Sequence, residues 1–298
     1  MKTEKITIVH DTPMQVGESP VWHAVESALY WVDIDGRTVH RLHPASGKHS
    51  AWQMQTEPSA LAVDLDNNLV VATRAGFVYL DTTSGEIEDL VPAPYDTNKV
   101  RFNDGRVDPA GRFWVGTMYE PRDQALAEMY VLDKGALRQA WAGGMTNSNG
   151  LAWSPDGRTM YHADTTTHRV DCYDYDVDSG TQSNKRNLVT FEADKTSGTY
   201  GGRPDGAAMD SEGNYWVAMY EGGRLLRLSP SGELLQQIDL PLRCPTAVCF
   251  GGPDLRTLFV TSASKGRSND ELAQYPHSGK VLAFAVDVPG IEQPEYRG

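Results

Sequence analysis

Cysteine is scarce in this chain of 298 residues, which contains only Cys172, Cys244 and Cys249. An odd number of cysteines cannot all pair in disulfides, and their spacing does not match that of cysteine-ligated zinc sites. The sequence therefore predicts neither a disulfide scaffold nor a cysteine metal site. This cysteine usage fits a reducing compartment, so we expect the protein to be cytoplasmic.

Long apolar runs and an excess of basic residues are also absent. Residues 1–5 lack the apolar stretch of a secretory signal, and no later segment predicts a membrane span. With 27 lysines and arginines against 40 aspartates and glutamates, the formal net charge is −13. Nucleic acids and anionic membranes are bound through basic surfaces, so we expect neither of them as a partner.

The motifs of several common catalytic sites are missing as well. The eight histidines show no His-x-x-x-His spacing, which argues against a zincin-type site, and each is interpreted as a surface or strand-packing residue. There is no Gly-x-Ser-x-Gly motif of a serine hydrolase and no Gly-x-x-x-x-Gly-Lys phosphate-binding loop. Any catalytic chemistry must therefore use other side chains.

What the sequence does contain is a repeat. Six times, a residue with a side-chain oxygen stands four positions before the last apolar residue of a short hydrophobic run. In the clearest copies this run is followed by a turn rich in Asp, Pro and Gly and then by a second strand pattern. The six residues are Glu18, Ser59, Asn103, Asn149, Asp205 and Thr246.

The spacing of the repeats predicts the architecture. Units of roughly 40 to 55 residues with about four strand patterns each are typical of propeller blades. Apolar residues at helical spacing do not extend beyond a turn or two. We therefore expect an all-β protein, a six-bladed β-propeller with four-stranded blades that forms a single domain over residues 1–298. Residues 6–9 precede the first unit and are expected to pair into the last blade, which closes the ring.

The first strand of each propeller blade runs beside the central channel, so the six repeated residues are expected to face one opening. Glu18 and Asp205 offer carboxylate oxygens, and Asn103 and Asn149 offer amide oxygens. This set suits a divalent cation that prefers oxygen, such as Ca²⁺, Mg²⁺ or Mn²⁺. Each residue alone has a structural alternative, because Asn and Asp favour turns and Ser or Thr often caps a strand. Burying such groups together without partners would cost roughly 2 kcal/mol or more each.

Several motifs resemble those of the family that contains senescence marker protein 30 (regucalcin), gluconolactonase and the luciferin-regenerating enzyme. They span nearly the full chain and are specific in combination. The matching segments are 17–22 (GESPVW), 29–34 (LYWVDI), 101–112 (RFNDGRVDPAGR), 116–118 (GTM), 148–151 (SNGL) and 204–206 (PDG). The resemblance implies a six-bladed propeller that binds one divalent metal in its central channel.

The same resemblance implies a ligand set for that metal. Glu18, Asn149 and Asp205 would be its protein ligands, and Asn103 would lie in or near the coordination shell. Calcium is the ion that we expect, and Zn²⁺, Mn²⁺, Mg²⁺ and Fe²⁺ are alternatives.

Resemblance further implies hydrolysis of sugar lactones, with a small-molecule lactone as the partner. We expect Asp205 to take the proton from the attacking water. Arg101 and Asn103 would orient the sugar hydroxyls or stabilise negative charge on the ring oxygen. Arg101 has an alternative role as an ion-pair partner of Glu18 or Asp205. Glu120 is the remaining candidate for substrate binding, and a plain surface position is its alternative.

Two rival functions stay open at the level of sequence. One is hydrolysis of other activated esters, organophosphates among them, because a cation and a water in the same geometry would serve both reactions. The other is a non-catalytic role as a Ca²⁺-binding regulator. Turnover of aldonolactones distinguishes the lactonase from both rivals.

Overall fold

The computed structural model describes residues 5–298 and contains six four-stranded antiparallel sheets. In five sheets the strands follow one another in chain order, and in the sixth the N-terminal strand joins three C-terminal strands. The protein is thus an all-β, six-bladed propeller, as the repeat predicts. Within the described residues, no helix combines the length and the apolar character that crossing a membrane requires.

Strand β1 (Thr7–His10) belongs to the sixth blade. The first blade comprises β2 (Gly17–His23), β3 (Ala28–Asp33), β4 (Thr38–His43) and β5 (Lys48–Gln53). The second comprises β6 (Pro58–Val63), β7 (Leu69–Thr73), β8 (Gly76–Leu80) and β9 (Ile87–Pro92). The third comprises β10 (Val100–Val107), β11 (Phe113–Tyr119), β12 (Glu128–Asp133) and β13 (Ala136–Ala142).

The fourth blade comprises β14 (Ser148–Trp153), β15 (Thr159–Asp164), β16 (Arg169–Asp176) and β17 (Thr181–Thr190). The fifth comprises β18 (Arg203–Met209), β19 (Tyr215–Tyr220), β20 (Arg224–Leu228) and β21 (Leu234–Asp239). The sixth comprises β22 (Pro245–Gly251), β23 (Thr257–Ser262), β24 (Val281–Ala285) and β1. A 3₁₀ turn at Thr165–Thr167 and one short helix, α1 (Asn269–Gln274), lie outside the sheets.

The ring closes through the N-terminal strand. Strand β1 pairs antiparallel with β24, with Thr7 opposite Ala283 and Ile8 opposite Leu282. The predicted pairing of this segment with the last blade is therefore confirmed. Because β24 would otherwise present a free edge, β1 also satisfies backbone groups that an exposed edge would leave open.

Apolar side chains pack mainly between neighbouring blades. Phe77 of the second blade contacts Phe102 of the third, with ring centroids 4.8 Å apart, and both side chains are buried. Trp31 and Trp114 are buried completely. Large aromatic side chains bury much apolar area per residue, so these contacts hold the blades firmly and fix the inner strands that border the channel.

Buried aspartates hold the turn after the inner strand in the third and fifth blades. Asp108 accepts hydrogen bonds from two backbone N–H groups of its own turn and from the indole N–H of Trp114 at 3.1 Å. Asp210 has the same arrangement, with the indole of Trp216 at 3.0 Å. Each carboxylate thereby ties the turn to the second strand of its blade, which fixes the position of the inner strand.

Each inner strand is irregular at the repeated polar residue. The pairing register shifts between Glu18 and Val21 in the first blade and between Asn149 and Ala152 in the fourth. Equivalent shifts occur in the other four blades. Gly150 lies inside one of these irregularities with a φ of 61°, a conformation that glycine adopts without steric cost. Such irregularities bend a strand and change the direction of its side chains.

Candidate metal and substrate site

A cavity of about 360 Å³ lies where the inner strands of five blades meet. Its walls include every residue for which the sequence predicts a metal-binding, substrate-binding or catalytic role: Glu18, Arg101, Asn103, Glu120, Asn149 and Asp205. Of the six repeated residues only Ser59 is not part of the wall, and its hydroxyl donates to the backbone carbonyl of Ala72 at 3.2 Å. Another cavity of about 320 Å³, at the other end of the inner strands, contains none of the predicted site residues.

Two carboxylates in this cavity are buried in the protein. Glu18 and Asp205 are only 7% and 6% exposed. Burial raises the pKa of Glu18 well above its usual value, and the nearby charges of Asp205 and Asp104 raise it further. Burial, followed by the charge of Asp104, likewise raises the pKa of Asp205. Both groups therefore have a strong electrostatic need for a cation.

Neither carboxylate obtains this cation from a neighbouring side chain. Within residues 5–298, neither Glu18 nor Asp205 forms a salt bridge with a lysine or arginine. Glu18 accepts a hydrogen bond from the backbone N–H of Ser19 at 3.2 Å. Arg203 and then Arg101 favour the charged form of Asp205, and Arg101 favours that of Glu18. The ion-pair partners of these two arginines are Glu221 and Glu120.

The two asparagines of the site contact each other. The side-chain N–H of Asn103 donates to the side-chain oxygen of Asn149 at 3.0 Å. The side-chain nitrogen of Asn149 in turn donates to the hydroxyl of Thr165 at 2.6 Å, so this nitrogen is already engaged by a protein group. This arrangement fixes the side-chain oxygen of Asn149 as the group available to the cavity.

These donors fit a divalent cation with a preference for oxygen. Two buried carboxylates and the amide oxygen of Asn149 line one cavity, and no histidine or cysteine lines it. Calcium and magnesium take carboxylate and amide oxygens as ligands. A bound dication would also remove the repulsion that raises the pKa of Glu18.

Arg101 is held by Asn103 and Glu120. Its guanidinium donates to the side-chain oxygen of Asn103 at 2.7 Å and lies 3.7 Å from Glu120. Glu120 is also bound by Arg74 through two hydrogen bonds of 2.9 Å. The bond from Arg74 is the main reason that the pKa of Glu120 is lowered. Glu120 is thus a half-buried member of an ion-pair network at the cavity wall, and not a free surface group.

Arg74 and Asp104 are two residues of this region that sequence reasoning missed. Arg74 directly follows the second strand of its blade, as Glu120 does in the next blade, so aligning the ends of the second strands would have found it. Asp104 is buried, its carboxylate accepts from the backbone N–H of Leu151 at 2.9 Å, and burial raises its pKa. Its position beside Asn103 in the irregular strand was the available signal.

A further ion-pair cluster forms part of the rim, centred on Glu221. Its carboxylate lies 2.7 Å from the amine of Lys195, 3.2 Å from Arg203 and 3.4 Å from Arg267. Arg203 lines the cavity, and its guanidinium stacks over the ring of Tyr220 at 5.2 Å. Lys195 belongs to the long segment between the fourth and fifth blades, so this cluster fastens that segment to the cavity rim.

Comparison with known proteins places the chain in a family. A family model described as SMP-30/Gluconolactonase/LRE-like region matches residues 16–264. The chain belongs to this family. The matched region contains all of the candidate site residues, whereas the ring-closing strand β1 precedes it.

Relatives in the SMP-30/gluconolactonase/LRE-like family match this chain from end to end. It is 44% identical over 295 residues to a 6-deoxy-6-sulfogluconolactonase of Pseudomonas putida, which covers 99% of each chain. It is 35% identical to the regucalcin of Gallus gallus over the full length of both. A crystal structure of a calcium-binding protein, regucalcin, from Agrobacterium tumefaciens has a TM-score of 0.91 at 29% identity and covers 98% of this chain and 97% of its own.

Proposed function

We propose that the protein is a divalent-metal-dependent lactonase that opens the ring of sugar lactones to give aldonic acids. One observation carries the proposal: Glu18 and Asp205 are buried, without a salt-bridge partner among residues 5–298, in a cavity that also contains Asn149 and Arg101. Membership of a family whose relatives include a sulfogluconolactonase supports the same reaction. The cavity volume of about 360 Å³ falls in the range of small-molecule sites.

Glu18, Asn149 and Asp205 are the residues that we propose hold the metal, with calcium as the expected ion. The oxygen-only donor set and the calcium-binding relative support this choice. When bound, a divalent cation supplies a Lewis acid that polarises a carbonyl or makes water more acidic.

The protein side chains supply the remaining chemistry. Asp205 is the proposed base: it takes the proton of the attacking water as the water oxygen bonds to the lactone carbonyl carbon. The ring carbon–oxygen bond then breaks, and the proton ends on the former ring oxygen, which becomes a hydroxyl. Proton transfer of this kind typically contributes a factor of ~10² to 10⁴ in rate.

Arg101 and its neighbours are proposed to position the sugar. Asn103 and Glu120 hold the guanidinium of Arg101 at the cavity wall, where its remaining N–H groups can donate to sugar hydroxyls or to oxygen atoms that gain negative charge. Glu120 is restrained by Arg74 and presents carboxylate oxygens to sugar hydroxyls. This division of roles gives Arg101 and Glu120 the binding of the substrate and leaves the reacting bond to Asp205.

The position of Arg122 suggests that the substrate is a lactone with an anionic substituent. It lines the cavity and is exposed, and within the described residues its only side-chain hydrogen bond goes to the sulfur of Met118 at 4.0 Å. In contrast, Lys265 at the same wall is paired with Asp35. An arginine without a carboxylate partner is suited to a sulfonate or phosphate. The name of the Pseudomonas putida relative indicates a sulfonated gluconolactone.

Turnover by metal-depleted and metal-restored protein tests the proposal. We expect hydrolysis of five- and six-membered aldonolactones to stop in excess EDTA and to return when Ca²⁺ is restored. A phosphotriester assayed in parallel should react much more slowly. Full activity in protein shown by elemental analysis to contain no metal would refute metal dependence, and tight Ca²⁺ binding without turnover of any lactone would favour the regulator.

The proposed place of action is the cytoplasm. Cys172, Cys244 and Cys249 are buried and unpaired, which suits a reducing compartment. Fractionation of the producing cells would test this location.

A further inference from the structure

We propose that His10, His40 and His49 form a second metal site, separate from the channel, which binds a first-row transition ion such as Zn²⁺. One ligand nitrogen from each ring lies within 4.8 Å of the other two. His10 is on β1 of the sixth blade, and the other two are on β4 and β5 of the first blade. The site therefore lies between the outer strand of the sixth blade and the first blade.

The geometry of the three rings is close to that of a metal site. Nδ1 of His40 and Nε2 of His49 are 3.1 Å apart, and the ring centroids of His10 and His49 are 4.7 Å apart. Two nitrogens that share a tetrahedral zinc ion at ~2.05 Å are separated by about 3.3 Å. The pair of His40 and His49 is already near that separation, joined by a hydrogen bond that a shared ion would replace. The ligand nitrogen of His10 lies within 4.8 Å of both.

Surrounding packing holds the rings in place. His40 stacks on Trp31, with ring centroids 5.0 Å apart and planes inclined by 7°. The ring of His10 also contacts Trp31, with centroids 5.1 Å apart. His10 and His40 are partly buried, whereas His49 is exposed. Two ligands are therefore preorganised against an aromatic wall, and the third lies on the solvent side, where an ion can enter.

The protonation states also suit a metal. Burial lowers the pKa of His40 to about 3 and that of His10 to about 4, and repulsion from the neighbouring histidines adds to both shifts. Burial lowers the pKa of His49 as well. The rings of His10 and His40 are therefore neutral at pH 7, so each has a nitrogen lone pair, and the shift of His49 favours its neutral form too. The nearby acid Asp11, which is paired with Lys280 at 2.7 Å, raises the pKa of His10 but does not cancel the effect of burial.

Donor chemistry separates this site from the channel. Imidazole nitrogen suits Zn²⁺, Cu²⁺ and Ni²⁺, whereas carboxylate and amide oxygens suit Ca²⁺ and Mg²⁺. Three histidines leave a fourth tetrahedral position for water. Because His10 is held on the ring-closing strand β1, which pairs with β24, and its partners lie on the first blade, a bound ion would fasten β1 to the first blade.

Counting bound zinc tests the inference. The full-length protein is dialysed against Zn²⁺ in a large excess of Ca²⁺, and bound zinc is measured by atomic absorption. We expect His49→Gln to bind one zinc fewer per chain than the wild type. His43→Gln is the matched control, since it removes a histidine of β4 that is outside the cluster, and it should bind as much as the wild type.

Copper provides a second measurement. Electron paramagnetic resonance of the Cu²⁺-loaded protein should show coupling to three nitrogens, which is lost in His49→Gln and kept in His43→Gln. Because His49 is exposed, its substitution should leave the metal-free melting temperature and the lactonase activity unchanged. Equal zinc binding by His49→Gln and the wild type would overturn the proposal. So would a channel variant that binds no zinc at all, because all of the zinc of the wild type would then be in the channel.

Discussion

The side-chain N–H of Asn103 donates to the side-chain oxygen of Asn149 at 3.0 Å, which links the inner strands of the third and fourth blades. The same amide group donates to the backbone carbonyl of Ser148 at 2.8 Å. Its oxygen accepts from Arg101 at 2.7 Å. Because protein groups engage both ends of the Asn103 amide, this residue orients Asn149 and Arg101, and we propose that it supports the metal ligand Asn149 and is not itself a ligand.

Removing this link should weaken metal binding without abolishing it. We predict that Asn103→Ala lowers the Ca²⁺ affinity by ~10- to 100-fold, the usual effect of losing a group that orients a ligand. Isothermal titration calorimetry measures the change. Ser59→Ala is the control, because Ser59 occupies the equivalent repeat position but is not part of the cavity wall, and it should bind Ca²⁺ normally. A loss as complete as that of Asn149→Ala would instead make Asn103 a ligand.

Glu18→Gln should have opposite effects on the metal-free and metal-loaded protein. Removing one buried charge relieves its desolvation and its repulsion by Asp205, so we expect the metal-free variant to have a higher free energy of unfolding than the wild type. The wild type should gain about 2.7 kcal/mol when Ca²⁺ is at 100 times its dissociation constant, and the variant much less. Thermal melts in EDTA and in Ca²⁺ give both values. A variant less stable than the wild type in EDTA would contradict the account.

The blade architecture could be predicted from sequence because it depends on local signals that recur. A polar residue and a short apolar run repeat six times, and in the last four units a turn with aspartate and glycine follows. The chemistry of these turns is local, as the hydrogen bonds of Asp108 within its own turn illustrate. The pairing of β1 with β24 followed from the need to cover a sheet edge. Convergence of Glu18, Asn149 and Asp205 on one cavity follows from ring symmetry once the repeat is aligned.

The individual side-chain bonds between neighbouring blades could not be predicted from the repeat. The two hydrogen bonds from Arg74 to Glu120 depend on the rotation of the second blade relative to the third. No spacing in the sequence gives this rotation. The histidine cluster is a similar case, because His10 and His49 are 39 positions apart in the chain and meet only when the ring closes. Side-chain rotamers and the packing of neighbouring blades decide these contacts, and both are properties of the packed structure.

Asp205→Asn should separate metal binding from proton transfer. Asparagine keeps a side-chain oxygen for the cation but cannot take a proton from water, so we predict a fall in kcat of at least ~10² with the fold intact. Lactone turnover, bound metal and circular dichroism are measured together. Asp66→Asn, an exposed aspartate outside the cavity, is the control. Near-normal turnover by Asp205→Asn with metal bound would remove Asp205 as the base.

Arg122→Gln should change substrate preference and not general activity. The exposed guanidinium has no salt-bridge partner among the described residues, so a substrate anion can bind it without breaking an existing ion pair. Losing one charge-assisted hydrogen bond costs roughly 1.5 to 3 kcal/mol. We therefore predict that kcat/KM for a sulfonated or phosphorylated aldonolactone falls by ~10- to 100-fold, while that for the unsubstituted lactone is nearly unchanged.

Steady-state kinetics with the two lactones as a pair measure this difference directly. Arg158→Gln, an exposed arginine outside the cavity, controls for the loss of one positive charge from the surface. If the effect came from the surface charge of the protein acting at long range, both arginine variants would lose activity toward the anionic lactone equally, and salt would abolish the difference. An equal loss on both lactones in Arg122→Gln would show that the side chain supports the structure of the wall, whereas a loss confined to the anionic lactone is the result that direct recognition requires.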